Sequence, residues 1–243
     1  MRIFCETDVG KSREINQDAY IARILEGGAA LAVVCDGMGG ANAGNVASAQ
    51  AAKIIYEYVL RSWQPNMSAS LIKNLLCSAV MSANVEVFDA ASKNEELKGM
   101  GTTVVAVIAT KTAFHIVHVG DSRAYLVRDN TLSQITTDHS IVQRMIESGQ
   151  ITADEAKSDP RKNIITRALG VDENLNVDYN ELDCSEKDML LICTDGLSNM
   201  LSSEEILEVV SSTPCENATA QLVSAANDGG GSDNITAVLI FND

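Results

Sequence analysis

Short apolar or alternating segments open the chain and predict strands. They lie at about 2–9, 18–25 and 29–36, and each is bounded by glycine or charged residues that are typical of turns. Two longer segments with apolar residues on one face then predict helices at about 43–62 and 68–92. The chain therefore begins with a block of strands and continues with a helix pair.

The middle of the chain returns to strands. The segments TTVVAVIAT, AFHIVHVG, RAYLVRD and LSQIT predict an antiparallel meander, with RDNT as the turn between the last two. A short helix after Asp138 and a capping box formed by Thr152 and Glu155 begin a less regular region that continues to Gly170.

The last third repeats the order of strands before helices. Strands are predicted near 175–182 and 188–194, followed by a helix from about 203 and another with Thr213 as its N-cap and Pro214 as its first residue. NITAVLIF closes the chain as a strand.

Strand blocks that alternate with helix pairs favour an α+β fold over a doubly wound parallel sheet. The simplest arrangement is two stacked, mainly antiparallel sheets flanked by helices. The chain has no internal repeat or low-complexity tract, and its three prolines mark no linker. We therefore expect a single domain over residues 1–243.

Composition narrows the possible partners. The formal net charge of −15 disfavours nucleic acid and anionic lipid, and multivalent cations suit such a surface, although acidity also serves solubility. The longest apolar runs are about seven or eight residues, against the roughly 20 of a membrane span, and the N-terminal segment has no long apolar signal core. We expect a cytoplasmic protein without membrane insertion. The six cysteines form no C-x-x-C pair, so neither disulfides nor zinc are expected.

Four aspartates stand beside glycine or glycine-rich turns at the tips of apolar strands. They are Asp36 in LAVVCDGMGG, Asp121 in HIVHVGDSR, Asp195 in LLICTDGLSN and Asp233 in GGGSDNIT. Each taken alone is an ordinary turn residue. Together they can converge on one rim, where their mutual repulsion requires cations between them. Because no His-Cys ligand set accompanies them, Mg²⁺ or Mn²⁺ fits best.

Residues near these acids suggest phosphoryl chemistry. Gly37 leaves its backbone carbonyl accessible to an ion. Arg13, close to Asp18 in DVGKSREINQD, can form two parallel hydrogen bonds to a phosphate, although a single arginine is most often a solvated surface group. Two adjacent ions can lower the pKa of a bridging water and direct it in line at phosphorus.

The motifs DVGKSREINQD, VVCDGMGG, GMGTTVV, VGDSRAYLV, TTDHS, ITRALG, CTDGLSN and GGSDNITAVLI occur in the order and spacing of the metal-dependent protein phosphatase 2C family. From about residue 6 to residue 241 the chain resembles the bacterial serine/threonine phosphatases that oppose membrane-anchored kinases. The resemblance implies a four-layer α/β/β/α sandwich, a binuclear Mn²⁺ or Mg²⁺ centre, phosphorylated proteins as substrates and a monomer.

The resemblance also implies roles for individual residues. Asp36 matches the carboxylate that bridges both ions, and Gly37 supplies its carbonyl to one of them. Asp195 and Asp233 match the acids that hold the other ion. Asp18 matches the outer-shell acid that binds a metal-bound water.

The remaining roles concern the phosphate and a third ion. Arg13 matches the catalytic arginine that binds the substrate phosphate, and Asp121 matches the ligand of a third, weaker ion. Residues at about 140–170 correspond to the flap beside the substrate cleft. The chain departs from many family members at Met38, where eukaryotic proteins have a proton-donating histidine, and at Asn199, where many have an aspartate near the third ion.

Two other functions share these residues. A pseudophosphatase would keep the fold as a binding module without turnover. Loss of a core acid or of the arginine would favour that hypothesis, but Asp36, Asp195, Asp233 and Arg13 are all present. A hydrolase of small phosphate esters would differ only in the shape of its cleft, which the sequence leaves open.

Overall fold

The fold is that of a computed structural model, which describes residues 1–40 and 43–243. The strands in chain order are β1 (Arg2–Asp8), β2 (Asp18–Ile24), β3 (Ala30–Met38), β4 (Gly101–Thr102), β5 (Val104–Ala109), β6 (Ala113–Val119), β7 (Arg123–Arg128), β8 (Thr131–Gln134), β9 (Asp178–Asp183), β10 (Met189–Cys193) and β11 (Ile235–Phe241). The helices are α1 (Ala43–Ser62), α2 (Ala69–Lys93), α3 (Ile141–Glu147), α4 (Ala153–Ser158), α5 (Asp195–Ser198), α6 (Ser203–Ser212) and α7 (Cys215–Asp228).

The strands form two antiparallel sheets. Sheet 1 has the spatial order β1-β11-β10-β7-β8. Sheet 2 has the order β2-β3-β5-β6-β9, and the short β4 pairs with the end of β3. The predicted four-strand meander is therefore wrong: β5 and β6 pair in sheet 2, β7 and β8 pair in sheet 1, and the chain crosses from one sheet to the other between β6 and β7.

The layers arise because successive side chains of a strand point to opposite faces of the sheet, so that one face packs on helices and the other on the second sheet. In β3, Leu31, Val33 and Cys35 pack in the cluster that contains the buried faces of α1 and α2. Ala30, Ala32 and Val34 of the same strand pack between the sheets. On the other side, α6 and α7 cover sheet 1 through a third cluster. The predicted α/β/β/α sandwich is thus confirmed.

Helix α2 is long and apolar enough to cross a membrane by length and composition alone. In its most apolar stretch of 18 residues, 44% of the positions are buried, and the core helix of a soluble protein meets the same criteria. Several residues of α2 pack on the sheet side, including Leu76, Val80 and Ala83. The composition of this helix is therefore weak evidence for a membrane span.

Two local predictions, a turn and a capping box, are confirmed, and one predicted helix start is wrong. The turn after β7 has positive φ at Asp129 and Asn130, the geometry of a tight hairpin, and the capping box at Thr152 is present. The predicted N-cap at Thr213 is wrong. Its backbone N–H still bonds Val209, so Thr213 ends α6, and Pro214 has the extended ψ of 135° and precedes α7.

Candidate metal centre

One end of the sandwich holds an acidic cavity of about 300 Å³. Asp36 comes from β3 of sheet 2, and the sheet continues past it, because the next two residues pair with β4. Three more acids line the cavity: Asp195 follows β10 and Asp233 precedes β11, both strands of sheet 1, and Asp121 lies in the turn that joins β6 of sheet 2 to β7 of sheet 1. The cavity is therefore lined by acids from both sheets.

The backbone of Asp36 is fixed from one side. Its carbonyl accepts hydrogen bonds from the Thr102 hydroxyl and the Thr103 N–H, both at 2.8 Å, and its N–H donates to the Thr103 hydroxyl at 3.0 Å. The backbone polar groups of Asp36 are thus satisfied by the loop that joins β4 to β5. The carboxylate remains directed at the cavity, which Asp36 lines.

Asp18 lies beside Asp36, its register partner across β2 and β3, and does not line the cavity. One carboxylate oxygen accepts hydrogen bonds from Thr194 (2.9 Å) and Thr236 (2.7 Å), two hydroxyls of sheet 1. The other oxygen is buried and has no partner among the described residues. A buried carboxylate oxygen without a donor is costly, which makes it a site for water or a cation.

The electrostatics show that the acids interact strongly. Burial, and then the neighbouring carboxylates of Asp18 and Asp195, raise the pKa of Asp36 well above its ordinary value. Burial is also the main reason that the pKa values of Asp18 and Asp121 rise to about 7, with Asp195 adding to both. The cluster retains protons at neutral pH unless positive charge is bound among its members.

The donor set fits hard divalent ions. It consists of carboxylate oxygens and the backbone at Gly37, and neither histidine nor cysteine is among the described residues that line the cavity. Gly37 and Gly44 also allow β3 and the first turn of α1 to approach closely, because a Cβ on Gly44 would lie 2.7 Å from the Gly37 carbonyl oxygen. The structure therefore brings Asp36, Gly37, Asp195, Asp233 and Asp121 to one cavity, as the sequence predicted.

Two polar side chains contact the acids. Arg13 Nη2 donates to Asp233 Oδ2 at 2.9 Å, and 53% of the Arg13 side chain is exposed at the cavity mouth. Asn199 Nδ2 donates to Asp195 Oδ2 at 3.0 Å. Arg13 thus lies within reach of an anion in the cavity while it pairs with an acid of the centre.

Asn234 is a site residue that the sequence analysis missed. It is 5% exposed, its amide donates to the carbonyls of Val9 and Ile15, and its side-chain oxygen accepts from the N–H of Gln17. These bonds hold the loop that carries Arg13 against the start of β11. An asparagine directly after an aspartate at a strand start was the only local signal, and it resembles an ordinary turn.

A second group of possible ligand atoms lies behind the centre, in His118, His139 and Asp178. His139 Nδ1 accepts the Gly120 N–H at 3.0 Å, so its Nε2 carries the proton and donates to Asp178 at 3.3 Å. Arg167 binds the other oxygen of Asp178 at 2.6 Å. These bonds leave His139 without a free lone pair, so we interpret the group as structural.

Comparison with known proteins identifies the chain. The family description "Protein phosphatase 2C" matches residues 9–239. The chain belongs to the protein phosphatase 2C family. It is 37% identical to the serine/threonine phosphatase Stp of Listeria welshimeri over 96% of this chain and 93% of that protein. The crystal structure of the Streptococcus agalactiae serine/threonine phosphatase superposes with a TM-score of 0.90, at 33% identity, over 100% of this chain and 99% of the other.

A further solved structure bears on the cofactor. The catalytic domain of the serine/threonine phosphatase PstP, described in complex with two manganese ions, matches with a TM-score of 0.85 and 31% identity over 100% of this chain and 98% of that chain. The predicted family, fold and phosphoprotein phosphatase activity are thus confirmed for this chain, and the enzyme is metal-dependent.

Proposed function

We propose that the acidic cavity is where this phosphatase hydrolyses phosphoserine and phosphothreonine in proteins. Asp36, the Gly37 carbonyl, Asp195 and Asp233 would hold two Mn²⁺ or Mg²⁺ ions. Asp121 would hold a weaker third. The observation that carries the assignment is the convergence of acids from both sheets around Asp36, whose pKa is raised by burial and by its neighbours. When bound, the ions supply charge neutralisation and lower the pKa of water.

The other residues have positioning and binding roles. The unpartnered Asp18 oxygen is available to hold a water beside the centre. Arg13 has its guanidinium at the mouth of the cavity, and leaving Asp233 would free it to form two bonds to the phosphate. Met38 lines the cavity and cannot donate a proton, so water protonates the leaving group.

The substrate edge of the cavity is formed in part by the flap. Asn163 and Ile165 line the cavity from the segment that follows α4. We treat residues 1–243 as one catalytic domain with this flap at about 140–170. The shape of the flap edge would decide between phosphoproteins and small phosphate esters, and the named relatives support phosphoproteins.

The cellular setting is also part of the proposal. We infer a monomer in the cytoplasm, where its six free cysteines remain reduced, and a serine/threonine kinase among its partners. The net charge of −15 opposes self-association and supports both the monomer and the lack of nucleic-acid binding.

Phosphate release from a phosphothreonine peptide tests the assignment. Turnover is expected with millimolar Mn²⁺ and is lost in excess chelator. Asp36→Asn, Asp195→Ala and Asp233→Ala should each abolish turnover while the circular dichroism spectrum is retained. Full activity in chelator, or in any of the three variants, would contradict the proposed centre.

A further inference from the structure

A second and larger cavity, of about 750 Å³, lies at the opposite end of sheet 2 from the acidic centre. Its walls are the β2–β3 turn, the β5–β6 turn, the α1–α2 connection and the end of β9. Ala29 lines this cavity and directly precedes β3, and Asp36 lies seven residues further along the chain, which in an extended strand is about 23 Å. The two cavities are therefore separate.

A buried histidine with a fixed tautomer lines the second cavity. His115 is 2% exposed, and its Nδ1 lies 2.9 Å from the Tyr179 hydroxyl, which in turn donates to Glu181 at 2.8 Å. Because the hydroxyl proton goes to Glu181, Nδ1 must donate and Nε2 carries a lone pair. Nε2 has no hydrogen-bond partner among the described residues. Burial lowers the pKa of His115, so the ring is neutral and offers an acceptor to the cavity it lines.

The charges around the cavity favour a cation. Three carboxylates line it, Glu26, Glu181 and Asp183, against one lysine, Lys111. A second lysine, Lys73, does not line the cavity and has its Nζ 5.0 Å from the centroid of the Tyr179 ring. Trp63 and Met67 add apolar surface, and the Trp63 indole is held by its bond to the Glu26 carbonyl at 3.0 Å. A positive group with N–H donors on an aliphatic stem would satisfy both the acceptors and the apolar wall.

We propose that this second cavity is a binding site for a small organic cation, of the primary alkylammonium class. The ammonium is held by His115 Nε2 and the surrounding carboxylates, and the alkyl part lies against Trp63. The site is independent of the phosphate chemistry at Asp36, so it does not depend on the assignment of the metal centre.

The chain offers a direct probe, because Trp63 is its single tryptophan. Titration of the Mn²⁺-loaded enzyme with butylammonium, while Trp63 fluorescence is followed, should give a saturable change. Butanol and butyrate, which share the alkyl chain but lack the positive charge, serve as matched probes and should give none. Saturating Mn²⁺ keeps the ammonium away from the acidic centre. Equal responses to all three compounds, or no saturation, would overturn the proposal.

Variants assign the response to the cavity. The double variant Glu26→Gln, Asp183→Asn should weaken butylammonium binding roughly tenfold, because each exposed ion pair contributes about threefold. The exposed pair Glu204→Gln, Glu208→Gln on α6 changes the net charge equally and should leave the affinity unchanged. His115→Phe should also weaken binding, with its thermal midpoint measured to show that it is folded. Wild-type affinity in the Glu26, Asp183 double variant would refute the site.

Discussion

The hydroxyl oxygens of Thr103 and Ser122 lie 2.7 Å apart and join the two sheets at the rim of the metal centre. Thr103 precedes β5 of sheet 2, and Ser122 precedes β7 of sheet 1 and follows Asp121 directly. Because Thr103 also accepts the Asp36 N–H, one hydroxyl connects Asp36 to the loop that carries Asp121. Both residues are almost fully buried.

Removal of the Thr103 hydroxyl should destabilise the metal centre. Thr103→Val keeps the side-chain shape but leaves the Asp36 N–H and the Ser122 hydroxyl without partners, which should cost about 1–3 kcal/mol of unfolding free energy. It should also weaken Mn²⁺ binding, measured by calorimetry. Thr103→Ser keeps the hydroxyl and should retain most of the metal affinity. A valine variant that binds Mn²⁺ like the wild type would show that the bond does not position Asp36.

Arg13 should contribute to transition-state binding and little to stability. Arg13→Ala should lower kcat/KM by a factor that corresponds to roughly 1.5–3 kcal/mol of transition-state binding energy, the scale of hydrogen bonds to charged groups. Its pairing with Asp233 is half exposed, so the melting temperature should change little. Arg13→Lys should recover only part of the activity, because lysine lacks the planar fork. An Arg13→Ala variant with unchanged kcat/KM would show that Arg13 is a solvated surface residue that does not bind the phosphate.

The proposed third ion can be tested at Asp121 and Asn199. Asp121→Ala should depress turnover of phosphopeptides while the two tighter ions remain bound. Asn199→Asp replaces the hydrogen bond to Asp195 by a second carboxylate, which attracts a hard cation more strongly, so metal activation should move to lower concentration. Calorimetric and kinetic Mn²⁺ titrations measure both effects. If Asp121→Ala leaves turnover unchanged and Asn199→Asp leaves the Mn²⁺ activation curve unchanged, Asp121 is only a turn residue.

Deprotonation of Asp121 should cost the metal-free protein stability as the pH rises from about 4 to about 7. Asp121 has an ordinary pKa of 3.8 and a folded pKa of about 7, mainly because it is buried. The folded state therefore binds this proton more tightly than the unfolded state, and its deprotonation destabilises the fold. In chelator, Asp121→Asn should melt higher than the wild type at pH 7.5 and similarly near pH 4.

The control for this experiment is added metal. Mn²⁺ stabilises the protein that binds it more tightly, and we expect this to be the wild type because it keeps the Asp121 carboxylate. With added Mn²⁺ the wild type should therefore melt higher than Asp121→Asn at pH 7.5. A difference between wild type and Asp121→Asn that does not vary with pH would show that the raised pKa of Asp121 has no effect on folding.

The acids of the site were predictable because their signal is local. Asp36 and Asp195 each follow an apolar segment and precede a glycine, a pattern that is complete within ten residues, although β3 continues past Asp36 to Met38. The contacts that fix the centre are not local. The Asn234 amide bonds Val9 across 225 positions of sequence, and Thr103 meets Ser122 only because the sheets stack. Such partners depend on the docked fold.

The error at Thr213 has a similar cause. Thr213 followed by Pro214 has the pattern of a helix start, yet the preceding helix extends far enough for the Thr213 N–H to complete its last turn. A residue between two helices can serve the end of one or the start of the next. The packing of α6 and α7 on sheet 1 decides between them.

The origin of the acids in both layers has a consequence for the order of folding. Asp18 and Asp36 belong to sheet 2, whereas Asp195 and Asp233 adjoin strands of sheet 1. A partly folded chain with only one sheet formed holds only some of the proposed ligands. The ions therefore bind after the two sheets have packed together, and a bound pair of ions links one sheet to the other. Loading with Mn²⁺ should slow unfolding while the rate of refolding stays nearly constant.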